Sequence, residues 1–423
     1  MKVLIEGPIL TRSGYGEHAR FVYRSIKNEE GLDIYINPLN WGNTGWLTDL
    51  QDPDEKSAIE VCVKKFSDYF NHAQNTKTQM HFDLHIHIGI LNEFEKKAPQ
   101  AISVTAGIET DRVDPSWIAK THEQKVDKII VPSTHSRDGF SKTSYQFDDK
   151  KSQTTHILEL RKETDLQVVP YPLKQIPEES INLNIDTKFN FLSVALLGPR
   201  KGLENMVRWF VEEFKEEESV GLVLKTSKMN GSIIDRRYTV KHIENALKKH
   251  KDRKCKVYVL HGDLSEGELH SLYKSPNLNC YVSATHGEGY GLPIFEAAYS
   301  GMPIIATNWS GHLDFLSAEI KEGGKTRKKP LFAKVDYDLK EIQKSAVWNG
   351  ILMEGSKWAH PRASSFKKQL RNVYKNYGMY KKWANVLKAN IEKTHSENVI
   401  LEKMRNSILG STESSKEEEV FIL

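Results

Sequence analysis

Short apolar runs alternate with helix-spaced segments along most of this chain. "KVLIEGPI" is apolar at consecutive positions, the mark of a strand buried on both faces, and "GEHARFVYRSI" then returns its apolar residues at helical spacing. "LDIYINPL", "FDLHIHIGI", "AISVTAGI" and "DKIIVPS" extend the series to Ser133. This rhythm predicts parallel βαβ units. It breaks at "YPLKQIPEESINLNIDTKF", which is polar and carries Pro172 and Pro177, and resumes with "NFLSVALLG", "VGLVLKTS", "CKVYVLHG", "LNCYVSAT" and "MPIIAT". The expected fold class is therefore α/β, with two doubly wound parallel-sheet domains covering 1–175 and 185–370. The stretch from Pro361 to Ile391 is helix-patterned, and 411–423 is expected to be a mobile polar tail.

Composition narrows the class without naming it. The 423 residues are 39% hydrophobic and 27% charged, as in a globular protein, and exceed one ordinary core. No apolar run approaches the ~20 residues of a membrane span, and "MKVLIEGPIL" reads as a first strand, not a signal peptide. Cys62, Cys255 and Cys280 are scattered, so neither a disulfide framework nor a metal site is expected, and a reducing cytoplasm fits best. A net charge of +4 permits a polyanionic partner.

Candidate chemistry concentrates in "THGEGYGLPIFEAAYSGMPIIATNWSGHLDF", Thr285 to Phe315. Glu288 falls in the loop after a strand, and Glu296 about one turn into a helix that begins near Leu292 and stops at Gly301. Gly289, Tyr290 and Gly291 lie between them, so a ligand can approach the backbone where the helix offers unpaired N–H groups. That arrangement suits a nucleotide-sugar: phosphates on the glycines, ribose on Glu296, donor sugar near Glu288. The plainer alternative is a solvated Glu288 and a Glu296 that complements the helix dipole. The glycines, the strand before and the helix after favour the ligand. In "LLGPRKGLENM", Arg200 and Lys201 follow another strand, where cations stabilise the charge that develops on a diphosphate leaving group. Lys225 ends a neighbouring strand and is either a third phosphate or sugar contact or a solvated strand end.

Glu288, Gly289, Tyr290, Gly291, Leu292, Pro293, Glu296 and Ala297 closely resemble the paired-glutamate motif of the family 4 retaining glycosyltransferases, with Tyr290 where phenylalanine is usual. The likeness extends over nearly the whole chain, including the glycine-rich first loop, Pro132-Ser133, and Lys201-Gly202. It implies the GT-B fold, two Rossmann-like domains facing across a cleft, with the nucleotide-sugar on the C-terminal one and a helix over 375–405 packing back on the N-terminal, acceptor-side one. The resemblance implies Lys201 on the donor phosphates. Pro199 stands where the family has its arginine, which leaves Arg200 adjacent to that role. It also brings Ser13, Gly14 and Gly16 to the donor, with His18 and Arg20 nearby. Many relatives carry an N-terminal-domain histidine against the donor sugar; "VTAGIETDRV" has none, and Glu109, with Thr110, is the nearest polar candidate. No metal is implied. His85 and His87 have no third ligand, and Asp336 and Asp338 lie outside a strand-end context.

The donor is read as a UDP-sugar, specifically UDP-glucose. For the acceptor, Trp41 and Trp46 sit in a polar N-terminal loop, suited to stacking on a sugar or base or to anchoring the loop, and basic runs occur at "KKHKDRKCK" and "KEGGKTRKKP". The chain also resembles glycosyltransferases of tailed T4-like and marine bacteriophages, some of which glycosylate hydroxymethylated cytosine in their own DNA. That resemblance implies 5-hydroxymethylcytosine in duplex DNA as acceptor, in the cytoplasm of a bacterial host and with no membrane partner. The alternatives are a glycan, lipid-carrier or protein acceptor, or a non-catalytic nucleotide-sugar binding module.

Overall fold

The computed structural model describes residues 1–42, 53–149, 154–229, 231–322 and 324–410. Its N-terminal half holds strands β1 (Lys2–Gly7), β2 (Asp33–Pro38), β3 (Leu84–Ile88), β4 (Gln100–Val104), β5 (Lys128–Val131), a hairpin β6 (Ser144–Asp149) and β7 (Thr154–Glu159), and β8 (Asp165–Val168). Helices α1 (Gly14–Ile26), α2 (Pro53–Thr76), α3 (Pro115–Glu123) and α4 (Thr134–Ser141) connect them. The sheet runs β2-β1-β3-β4-β5-β8, and every pairing in it is parallel. All five residues of β3 are buried, as expected for a strand covered by helices on both faces.

The second half repeats the plan. Strands β9 (Phe189–Val194), β10 (Val220–Lys225), β11 (Lys256–Leu260), β12 (Cys280–Val282) and β13 (Ile304–Thr307) alternate with α5 (Leu203–Glu213), α6 (Ile233–Leu247), α7 (Glu266–Lys274) and α8 (Leu292–Tyr299). A hairpin, β14 (Ser317–Glu322) and β15 (Lys325–Pro330), precedes edge strand β16 (Ala333–Val335), and a second antiparallel pair, β17 (Tyr337–Glu341) and β18 (Lys357–Pro361), follows it. The sheet order is β11-β10-β9-β12-β13-β16, all parallel. Both sheets are doubly wound, and in each the order reverses beside the first strand, β1/β3 in one and β9/β12 in the other. Ligands bind such sheets at that reversal, beyond the carboxyl ends of the strands.

Helix starts follow local chemistry. The Ser13 hydroxyl accepts the Gly16 N–H at 2.9 Å and caps α1, while Ser265 and Glu268 form a reciprocal capping box on α7. The C-terminal stretch is three helices: α9 (Ala363–Lys375), α10 (Tyr377–Thr394) and α11 (Glu397–Leu409). Leu387 and Ile391 of α10 belong to the core of the C-terminal sheet with Phe295 and Phe315. It is α11 that reaches the N-terminal core, where Ile400, Met404 and Ile408 pack with Phe21 and Val22. At the break the freed His395 carbonyl accepts the N–H of Leu173, so the interdomain segment and the helix break satisfy each other. Trp46 and the tail 411–423 lie outside the described residues.

Candidate functional site

Glu288 follows β12 and Lys201 follows β9, the two strands that flank the reversal of the C-terminal sheet. Their side chains meet: Lys201 Nζ donates to Glu288 Oε1 at 2.6 Å, and Arg200 Nη1 donates to Glu288 Oε2 at 2.8 Å. The Thr285 hydroxyl is the third donor to this carboxylate, at 2.8 Å from Oε1. Arg200 also donates to the Gly287 carbonyl at 2.7 Å and pairs with Glu109, from the loop after β4, at 3.1 Å. Two cations and two carboxylates from both sheets thus form one charge-balanced cluster.

Burial alone would raise the Glu288 carboxyl, but the Arg200 guanidinium and Lys201 ammonium outweigh it and hold it far below the usual carboxylate range. Burial and the neighbouring Arg200 lower Lys201. For Arg200, Glu109 and Glu288 outweigh burial and keep it charged.

The loop carrying Glu288 is fixed by backbone contacts that tolerate little bulk. A Cβ on Gly289 would lie 2.6 Å from the Ala106 carbonyl oxygen, and one on Gly287 would lie 2.0 Å from that of Glu109. Gly291 has φ +93°, the left-handed conformation from which α8 starts. Ser310 also has a positive φ, +88°, which is costly for a residue with a side chain. Its hydroxyl accepts the Glu288 N–H at 2.9 Å, and Ser133 of the N-terminal half donates to the Gly289 carbonyl at 2.5 Å. Ser133 ends the strand at Pro132-Ser133 that the family resemblance includes, whereas nothing in the local sequence marks Thr285 or Ser310.

Glu296 is apart from this cluster. It borders a cavity of about 60 Å³ between α7 and α8 that is also lined by Lys174, Glu266 and Tyr273. Burial pushes its carboxyl up to about 7; Tyr273 and Lys174 pull it down, and Glu266 and Glu17 push it up. Leu292 is partly exposed at the start of α8.

The other expected residues divide clearly. Gly14 opens α1 with free space where a side chain would be, whereas a Cβ on Gly16 would lie 2.2 Å from the Thr11 carbonyl oxygen. The Lys225 ammonium donates to the Gly262 carbonyl, away from Glu288. Tyr290 departs from its expected place at the donor: its ring is 2% exposed and packs on Tyr171, Phe295 and Phe315, because the glycines beside it turn the side chain into the core. Its backbone alone faces the loop. His18 is buried, with Nδ1 3.1 Å from the Tyr171 hydroxyl, and Arg20 holds the carbonyls of Ile9 and Thr11. The Thr110 hydroxyl donates to the Arg112 carbonyl. His85 pairs with the buried Glu6 at 3.2 Å, His87 packs edge-on against Phe94, and Asp338 pairs with Arg362. Among the described residues no group of three or more His, Cys, Asp or Glu could hold a metal ion. The Trp41 ring lies 4.2 Å from that of Tyr15.

Residues 175–323 match the family model described as glycosyl transferases group 1, a span that includes Lys201, Glu288 and Glu296. The chain carries a glycosyltransferase domain. No curated protein sequence matches it. A sucrose-phosphate synthase from Thermosynechococcus elongatus is similar in structure with a TM-score of 0.59 at 12% identity, over 96% of this chain and 97% of the other. Anabaena HepE, solved with UDP-glucose, has a TM-score of 0.58 at 11% identity, over 96% and 99%. A pneumococcal O-GlcNAc transferase, GtfA, is longer; this chain spans 59% of it, with a TM-score of 0.49 at 15% identity over 81% of this chain. At these identities the likeness is one of fold, and that fold is GT-B.

Proposed function

We propose that the protein is a retaining glycosyltransferase that moves a hexose from a UDP-sugar, UDP-glucose in the first instance, to a hydroxyl acceptor. The observation that carries this reading is the Lys201–Glu288–Arg200 cluster at the reversal of a doubly wound sheet. In this reading the donor diphosphate lies against Lys201, Arg200 and the backbone N–H groups of Gly289 to Leu292. Glu296 accepts hydrogen bonds from the ribose hydroxyls, and Glu288 and Glu109 face the transferred sugar. As the bond from the sugar to the diphosphate breaks, the two cations stabilise the charge on the departing oxygen. The acceptor hydroxyl then attacks from the same face, and its proton passes to the diphosphate. The resemblance to family 4 enzymes supports retention, and no metal is needed where two cations already meet the diphosphate.

For the acceptor we favour 5-hydroxymethylcytosine in duplex DNA. Two things support this: the resemblance to phage enzymes, and the β14–β15 hairpin, where Lys321, Lys325, Arg327 and Lys328 are exposed. A second reading, transfer to a lipid-linked glycan, is favoured by the exposed Met229, Ile233, Ile234 and Tyr238 beside Arg236 and Arg237 at the start of α6. Incubation with UDP-glucose and hydroxymethylated duplex DNA, followed by nucleoside mass spectrometry, separates them. A hexose added to the modified base supports DNA. UDP-glucose hydrolysis without that product rejects DNA and retains the donor. A protein that binds UDP-glucose and neither hydrolyses nor transfers it is a binding module.

A further inference from the structure

Lys174, in the segment joining the two halves, lies where both sheets' helices converge. Its Nζ is 3.1 Å from Glu17 Oε1 in the first turn of α1 and 3.2 Å from Glu266 Oε1 at the start of α7. Glu17 is itself held by Arg20 at 3.0 Å and Arg24 at 3.2 Å, and Arg24 by Glu55 at 2.7 Å. Lys174 also lines the cavity that Glu296 borders. An ammonium on a flexible stem rarely stays fixed unless several partners hold it. Here one partner comes from each sheet's helices.

We propose that Lys174 is a positioning residue for the donor: clamped between Glu17 and Glu266, it places a fixed positive charge beside Glu296 and so tunes that carboxylate's grip on the ribose hydroxyls. This rests on the reading that Glu296 holds the ribose.

The groups that face Glu296 come from the interdomain segment and four elements. The segment contributes Lys174; α1 contributes Glu17; α7 contributes Glu266, Tyr273 and His270; α8 contributes Tyr299 and β12 Tyr281. Lys174 is the one lysine or arginine among them. Its charge is retained despite burial, because Glu17 and Glu266 outweigh the loss of solvent. A carboxylate that must accept two hydroxyl hydrogens has to be ionised. Glu296 titrates near neutrality, so a neighbouring charge matters most in the working pH range. Without Lys174, burial and two carboxylates would act on Glu296 with Tyr273 as the remaining counterweight.

The test is calorimetric binding of the free nucleoside diphosphate that the wild type holds most tightly among UDP, GDP and ADP, from pH 5.5 to 8.5. The nucleotide's own phosphate titration is common to every variant and cancels between them. Wild-type affinity is expected to fall as pH drops below about 7. Lys174→Met should move that midpoint upward by roughly one pH unit and weaken binding about fivefold at pH 7, while Lys174→Arg keeps the wild-type profile. Lys174→Gln, which keeps a neutral polar side chain between Glu17 and Glu266, should move the midpoint the same way and serves where Lys174→Met does not fold. Glu296→Gln should bind more weakly with a flat profile. If Glu296→Gln behaves so while Lys174→Met and Lys174→Gln keep the wild-type midpoint, the role of Lys174 is overturned. If Glu296→Gln binds like wild type, the ribose reading itself has failed.

Discussion

Arg200 joins the two halves of the protein, with Nη2 3.1 Å from Glu109 of the N-terminal half and Nη1 2.8 Å from Glu288 of the C-terminal half. Through it, the loop after β4 and the loop after β12 share one charge network. The glycines at 287 and 289 allow that approach, since a side chain at either would strike a backbone carbonyl of the opposite loop. The cluster is therefore a property of the two sheets together.

Lys201→Met should lower turnover by about 10²-fold or more, because the developing charge on the diphosphate loses a preorganised cation. Steady-state kinetics of donor hydrolysis or transfer checks this. Near-normal kcat would remove Lys201 from the leaving-group role.

Glu288→Gln should destabilise the fold by about 3 kcal/mol, since Arg200 and Lys201 would remain buried against a neutral group. Chemical denaturation at pH 7 measures it. The sign follows from the depressed carboxyl: its contribution is present above the ordinary carboxylate range and is lost as pH falls through the folded value. The gap between variant and wild type should therefore narrow under acid conditions.

Glu296→Gln should behave in the opposite way. The folded carboxyl titrates near 7 against an ordinary 4.5, so the folded state holds a proton that the unfolded chain has released, and wild-type stability is lost as pH rises between those values. The glutamine variant should match wild type near pH 4.5 and exceed it at pH 8, by about 3 kcal/mol. Thermal melts at both pH values, without nucleotide, decide the point. A variant less stable than wild type at pH 8 would contradict it.

Glu109→Gln breaks a partly exposed ion pair, so its effect on stability should be within about 1 kcal/mol. If Glu109 faces the transferred sugar, turnover should still fall at least about tenfold while donor KM changes little. Unchanged kcat would leave Glu109 as a tether between loops.

Gly289→Ala should damage the cleft despite its small size. Its Cβ would sit 2.6 Å from the Ala106 oxygen, a backbone atom that cannot swing away. Activity should be lost while the far-UV spectrum of the two sheets is kept, because the clash lies between loops. Full activity would mean that the loops separate without cost.

Much of this was legible in the chain itself. Consecutive apolar positions such as "KIIV" and "VGLVL" mark strands buried on both faces, because a parallel sheet covered by helices leaves no solvent side to encode. Glu288, Glu296 and Lys201 could be placed at strand and helix ends from glycine spacing alone. Strands β8 and β16 escaped notice: each is a short edge strand, with less burial to write into its pattern. Partners were beyond the sequence's reach. That Glu288 rather than Glu109 takes both cations, that the Tyr290 ring turns inward, that Ser310 bears a strained backbone, and that Lys174 stands between Glu17 and Glu266 all depend on segments distant in sequence meeting at one edge. Local pattern encodes which face of an element is buried. Which charges then share that burial is decided when two sheets pack, since only there does losing water make each ion choose a partner.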